Sequence, residues 1–165
     1  MTMDRETMRD WAALLGRIGL CAIFLVSAYT KVTDWNGMQH LMEERGMPWV
    51  SFFLLAALLL EGLGAVAVLL GYKARLGALA LVAFLVPTTF IFHNFWALPA
   101  DQQALQTVMF LKNLGIIGGL LMLAANGPGR FSLGRERPSV HQSGASNGGA
   151  DPRRNKTPVW SSSTQ

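Results

Sequence analysis

Apolar residues along the chain gather into four long runs separated by short polar stretches: Trp11 to Thr30, Trp49 to Gly71, Arg75 to Leu98 and Leu105 to Asn126. Each is close to the ~20 residues that a helix needs to cross a bilayer. Inside them, Leu54 to Leu60 and Leu76 to Val86 are apolar on every face, which leaves none of the polar stripes a soluble helical bundle turns toward water. The pattern predicts an all-α protein, an integral membrane bundle of four transmembrane helices.

The polar stretches set the organisation around those runs. Met1 to Asp10 is a charged lead-in, and Lys31 to Pro48 is the longest connection, with room for a short amphipathic helix around Gly37 to Arg45. The link Tyr72-Lys73-Ala74-Arg75 is so short that the second and third segments are antiparallel neighbours. Pro87 is expected to kink the third segment and free a backbone carbonyl, with Thr88 and Thr89 placed to compensate. Gly115 and Gly119 in the fourth have the GxxxG spacing that lets a helix approach closely, whether inside the bundle or in a homo-oligomer. Gly127-Pro128-Gly129 then stops the helix. Residues 129–165 are rich in Gly, Ser, Pro, Asn and Arg and are expected to be disordered. The division is therefore a lead-in at 1–10, a membrane domain at 11–128 and a basic tail at 129–165.

Composition agrees with a membrane chain: 51% of residues are apolar and only 15% charged. The net charge of +4 would suggest nucleic acid if it were spread over a domain, but it resides wholly in the tail, so no nucleic-acid partner is expected. A basic tail beside a bilayer suits anionic head groups or plain solvation. Basic residues cluster at the amino-terminus, in the Lys73/Arg75 link and in the tail, which by the positive-inside rule places both termini in the cytoplasm. Trp11, Trp35, Trp49 and Trp96 lie at segment ends as interface anchors. Cys21 is the only cysteine, so no intrachain disulfide or CxxC pair exists. A single histidine on the third segment supplies neither paired haem ligands nor a metal set, and no nucleotide-binding or hydrolase motif occurs. No residue is therefore assigned a catalytic role.

The candidate chemistry lies in polar side chains within the apolar runs. Glu61 stands near the middle of the second segment, where a charge costs at least ~3 kcal/mol and demands a partner. At ~1.5 Å per residue, Arg17 and Lys112 fall within about a side-chain length of its level, while Lys31, His93 and Asn94 fall near the far boundary. Arg17, Cys21, Phe24, Ala28 and Lys31 share one face of the first segment; Ala57, Leu58, Glu61, Gly64 and Ala65 make a stripe on the second. Arg17 and Lys112 are thus expected to flank Glu61. Two cations exceed what one carboxylate needs, and an unpaired buried cation loses its proton or binds an anion. Arg17, Glu61, Lys112, Asn113, His93, Asn94 and Lys31 are the candidate ligand-binding or proton-relay residues. The plainer reading is a polar network that only sets helix packing.

Gly16-Arg17, Lys31, Glu61-Gly62, Gly71 with Arg75, His93-Asn94-Phe95-Trp96, and Phe110-Leu111-Lys112-Asn113-Leu114 with Gly118-Gly119 together resemble the DoxX family over about residues 11 to 129. One departure is Ser27-Ala28-Tyr29-Thr30-Lys31, where the family's first helix commonly ends in a Gly-containing turn. The resemblance implies a four-helix protein of the bacterial cytoplasmic membrane, linked to membrane oxidoreductase assemblies and oxidative-stress defence. It makes quinone the candidate cofactor and other oxidoreductase subunits the candidate partners. The alternatives are a binding or transport module for a small anion or lipid-like molecule, and a purely structural assembly subunit.

Overall fold

The structure, a computed structural model, describes residues 4–134. They form α1 (Arg5–Thr33), α2 (Trp35–Glu44), α3 (Val50–Leu70), α4 (Ala74–Phe92), a 3-10 turn at Phe95–Ala97 and α5 (Ala100–Asn126). The helices α1, α3, α4 and α5 are long and apolar enough to cross a membrane. Two begin earlier than their apolar runs. At 29 residues α1 is ~44 Å long against a hydrocarbon core of ~30 Å. The charged lead-in from Arg5 onward is therefore its first turns, projecting from the core. Similarly, α5 opens after Pro99 on Asp101, Gln102 and Gln103, a polar first turn with an acidic residue where the helix dipole favours one.

The amphipathic helix expected in the long connection is α2, and the Asp34 side chain caps it by accepting from the Gly37 amide at 3.1 Å. Met42 of α2 is buried with Val50 and Leu54 of α3, so the connection lies against one end of the bundle. The opposite end, where α1 begins and α5 stops, is the base.

Packing runs in the order α1, α3, α4, α5, and α1 and α5 barely meet. The main core lies where all four helices come together, and includes Cys21, Phe24, Ala65, Val68, Leu81 and Leu120. The closest helix approach is between α3 and α4. A Cβ on Gly64 would lie 2.9 Å from Leu81 and 3.2 Å from the Gly77 carbonyl, and one on Gly77 would lie 2.9 Å from the Gly64 carbonyl. Small residues permit this contact in a medium that offers no hydrophobic drive between helices. By contrast, Gly115 has nothing within 4 Å of a Cβ position, and Gly119 meets only Leu20 of α1. The GxxxG pair in α5 thus contributes one glycine to the bundle. Gly64→Val is expected to cost ~2 kcal/mol by overpacking against the Leu81 side chain and the Gly77 carbonyl, whereas Gly115→Val leaves the melting temperature of the purified protein nearly unchanged.

At the base, the chain does not leave the bundle at Gly129. The Leu133 amide donates to the Leu70 carbonyl at 2.9 Å and the Gly134 amide to the Gly71 carbonyl at 3.3 Å. Phe131 packs on Trp11 with ring centroids 5.1 Å apart. Residues 129–134, expected from composition to belong to the disordered tail, are thus a strap across the end of α3. They satisfy carbonyls that the last turn of a helix leaves without partners. The rest of that tail, 135–165, lies outside the described residues.

Candidate functional site

The register between α1 and α3 decides which charges meet. Cys21 donates to the Ala65 carbonyl at 3.2 Å, which puts these two residues at one level in antiparallel helices. Lys31 lies ~15 Å further along α1 and Glu61 ~6 Å in the same direction along α3, so their backbones differ by ~9 Å in depth. Side chains lean toward the N-terminus of their own helix. Lys31 therefore leans down α1 toward the base, Glu61 leans up α3 away from it, and the two close the gap. The Lys31 ammonium donates to Glu61 Oε2 at 2.7 Å and to Ser27 Oγ at 2.6 Å. Its nitrogen also lies 5.7 Å from the centre of the Phe84 ring. Glu61 is 2% exposed. Ser27 continues α1 as helix and accepts from Lys31 one turn on.

The expected pairing of Glu61 with Arg17 and Lys112 is not what forms. Arg17 is level with Leu69 and leans away from Glu61. Its guanidinium donates to the Leu69 carbonyl at 3.4 Å and, in a short hydrogen bond, to the Phe131 carbonyl. Arg17 thus caps the carboxyl end of α3, where the helix dipole is negative, and holds the strap. Asp10, one further turn pair down the same face, is buried as well, with Arg130 of the strap 3.8 Å away. Asp10 lies ahead of the apolar run and so outside the set of sequence candidates; its spacing of seven from Arg17 was the available signal.

Lys112 lies on α5, on the far side of a cavity of about 920 Å³. The cavity runs from Lys31 and Glu61 at its floor toward α2, and apolar side chains of α1, α3 and α4 make most of its wall. The seam between α1 and α5 borders it on one side. These helices touch where Gly119 faces Leu20. Above that contact, Ile23 and Ser27 of α1 and Ile116 and Lys112 of α5 line the cavity from opposite edges. Lys112 is exposed at this lip. Its polar contact is a weak one, Nζ to Met109 Sδ at 3.4 Å, and among the described residues no carboxylate pairs with it.

The remaining candidates divide. Asn113 is buried, lines the cavity and donates to Thr89 Oγ at 3.1 Å, which pins α5 to α4. His93 reaches the cavity near its outer rim, and its Nδ1 lies 2.7 Å from Gln106 Oε1. Asn94 is at the 3-10 turn, outside the cavity wall, with its Oδ1 buried. So Lys31, Glu61, Lys112, Asn113 and His93 share one cavity, while Arg17 and Asn94 do not. The threonines expected to compensate Pro87 do not reach the freed carbonyl. Thr88 donates to the Phe84 carbonyl at 2.8 Å and Thr89 to that of Leu85 at 2.6 Å, each bonding four residues back along its own helix. Among the described residues no group of three or more His, Cys, Asp or Glu side chains is placed to hold a metal ion.

The four spans carry the residues on which the resemblance rests, and Lys31 and Glu61 among them join the first two spans. The profile of the DoxX family matches residues 12–94. The chain belongs to the DoxX family. Inner membrane protein YqjF of Escherichia coli is 37% identical over 130 residues, covering 79% of this chain and 95% of that protein. Inner membrane protein YphA of the same organism is 30% identical over 132 residues, covering 80% and 94%. A Surfeit locus protein 4 homolog of Drosophila melanogaster is 29% identical over 135 residues, covering 80% of this chain but 43% of its own length. No solved structure matches. The family match ends at Asn94, so it takes in α1 to α4 with Lys31 and Glu61, while Lys112 and Asn113 of α5 lie beyond it. This DoxX-family chain is an integral membrane protein.

Proposed function

We propose that this DoxX-family protein holds a membrane-soluble amphiphile in the cavity beside Lys31 and Glu61, and serves in that way as an accessory subunit of a membrane oxidoreductase acting at the quinone level. The observation that carries the reading is Lys112, a cation without a carboxylate partner among the described residues, at the lip of a largely apolar cavity. A charge in that position is costly unless a ligand supplies negative charge or accepting oxygens. The cavity has the size of a small-molecule site and is bordered by α1 and α5 on the side where those helices barely meet. A quinone fits this chemistry: its oxygens accept hydrogen bonds and gain negative charge on reduction, which a lysine stabilises. Glu61 in the same floor offers a group that can carry a proton. The setting is the bacterial inner membrane with both termini cytoplasmic, which the basic residues of the base support.

The test is purification in mild detergent followed by solvent extraction and redox difference spectroscopy of the extract. The wild type should carry a quinone in near-stoichiometric amount, and Lys112→Met should lower it at least fivefold without loss of the folded protein. A lipid-like anion is the second reading, favoured by the apolar wall; mass spectrometry of the same extract would then find an acidic lipid in place of quinone. An empty wild-type protein in both assays leaves the structural assembly role.

A further inference from the structure

Pro87 gives the cavity a feature that neither the family match nor the charged residues account for. A proline has no N–H, so the carbonyl four residues earlier in α4, that of Ala83, loses its helical donor. No side chain of the described residues replaces it, since Thr88 and Thr89 serve Phe84 and Leu85. Ala83 and Pro87 both line the cavity, so the freed carbonyl belongs to the cavity-facing side of α4. In a membrane interior such a group costs several kcal/mol unless something donates to it.

Its depth follows from the α3/α4 contact. Gly64 lies against Gly77 and Leu81. Glu61 is ~4.5 Å above Gly64, and Ala83 is ~3 Å above Leu81 in the same direction. The freed carbonyl is therefore near the level of Glu61. The Lys31 nitrogen over the ring of Phe84, the next residue in α4, places the two walls of the floor close together independently of that estimate. The floor thus presents a carboxylate, an ammonium and a backbone acceptor to one small space.

Resting on the cavity reading above, we infer that the Ala83 carbonyl freed by Pro87 is a specificity-determining acceptor, which selects an amphiphile whose head bears a hydroxyl over the same head without one. For a quinone-type ligand this means preferential binding of the reduced quinol, whose phenolic O–H donates to Ala83 while the rest of the head meets Lys31 and Glu61. Pro87 acts as a positioning residue through the carbonyl it leaves open. No electron transfer is part of this selection.

A decyl-benzoquinol and its oxidised quinone differ at the head only by the hydroxyl hydrogens, and they are the probes. Affinities are measured anaerobically on the full chain in nanodiscs by tryptophan quenching. The wild type should bind the quinol about fivefold more tightly, the size of one net hydrogen bond. Pro87→Ala restores the N–H donor to Ala83, so the ratio should fall to about one, with quinone affinity within twofold of wild type and the melting temperature maintained or raised. A wild type that binds both probes equally, or a Pro87→Ala protein that keeps the preference, overturns the inference and leaves a water on that carbonyl. Loss of both probes in Pro87→Ala also overturns it, by assigning Pro87 to cavity shape. Binding of neither probe by the wild type overturns the quinone reading itself, and this inference with it.

Discussion

Lys31→Met lowers the stability of the purified protein by ~3 to 5 kcal/mol, because it leaves Glu61 in the membrane interior without its counter-charge. Glu61→Leu should cost less. Lys31 is two residues from the end of α1 and its long side chain can swing outward to the interface, whereas Glu61 is midway along α3 and has no such route. The double variant Lys31→Met/Glu61→Leu should recover most of the loss, since a buried pair replaced by apolar residues of similar size is often neutral. Thermal unfolding of the four proteins in one detergent measures all three quantities. Additive losses in the double variant would show that the two side chains are not coupled, and the ion pair would then have no role in joining α1 to α3.

Arg17→Met should have an effect of similar size, and a different footprint. Arg17 donates to the carbonyls of Leu69 and Phe131, so its removal leaves two acceptors unsatisfied at the base, at ~1 to 3 kcal/mol each. The loss is expected to concentrate on the strap. Hydrogen exchange at the amides of Leu133 and Gly134, which bond to Leu70 and Gly71, should accelerate by a factor of ~30 or more, while the amides of α4 around Leu81 keep their protection. Arg17→Lys retains the charge near the helix end but cannot fork between two carbonyls, so it should restore only part of the protection. On the proposed function, quinone content should stay at the wild-type level in Arg17→Met, because Arg17 lies outside the cavity wall. A loss of bound ligand in this variant, with the strap still protected, would return Arg17 to the site.

The packing face of α1 was legible in the sequence, and the wrong partners expected for Glu61 have a specific cause. The inward stripe of α1 through Arg17, Cys21, Phe24, Ala28 and Lys31 is the stripe that packs, because a period of 3.6 residues leaves little choice of face. Depth counted from backbone positions alone points Glu61 to the wrong cations. On antiparallel helices the lean of each side chain toward its own N-terminus adds to or subtracts from reach, and it brings Lys31 to Glu61 while carrying Arg17 away. That lean is a local property of every helix, but which side chains it brings together depends on the register of α1 against α3, which the Cys21–Ala65 contact sets. The Gly64/Gly77 contact was less accessible, because each of the two helices carries small residues on more than one face and only their crossing chooses among them. The strap was hidden by composition: its Gly and Ser resemble the tail that follows, and it is ordered because α3 ends in carbonyls that need donors.

By itself, then, the sequence determined that this is an all-α membrane protein with four spans, that its second and third spans are antiparallel, and that a carboxylate in the second must have a partner, since the low dielectric of the bilayer tolerates neither open backbone nor a lone charge. Only the tertiary structure decided which cation that partner is, that α1 and α5 part above Leu20 and Gly119 to leave a cavity, and that Lys112 stands at its lip. Those outcomes depend on how far each helix slides and tilts against its neighbour, which is set by the summed packing of many side chains and is carried by no single residue.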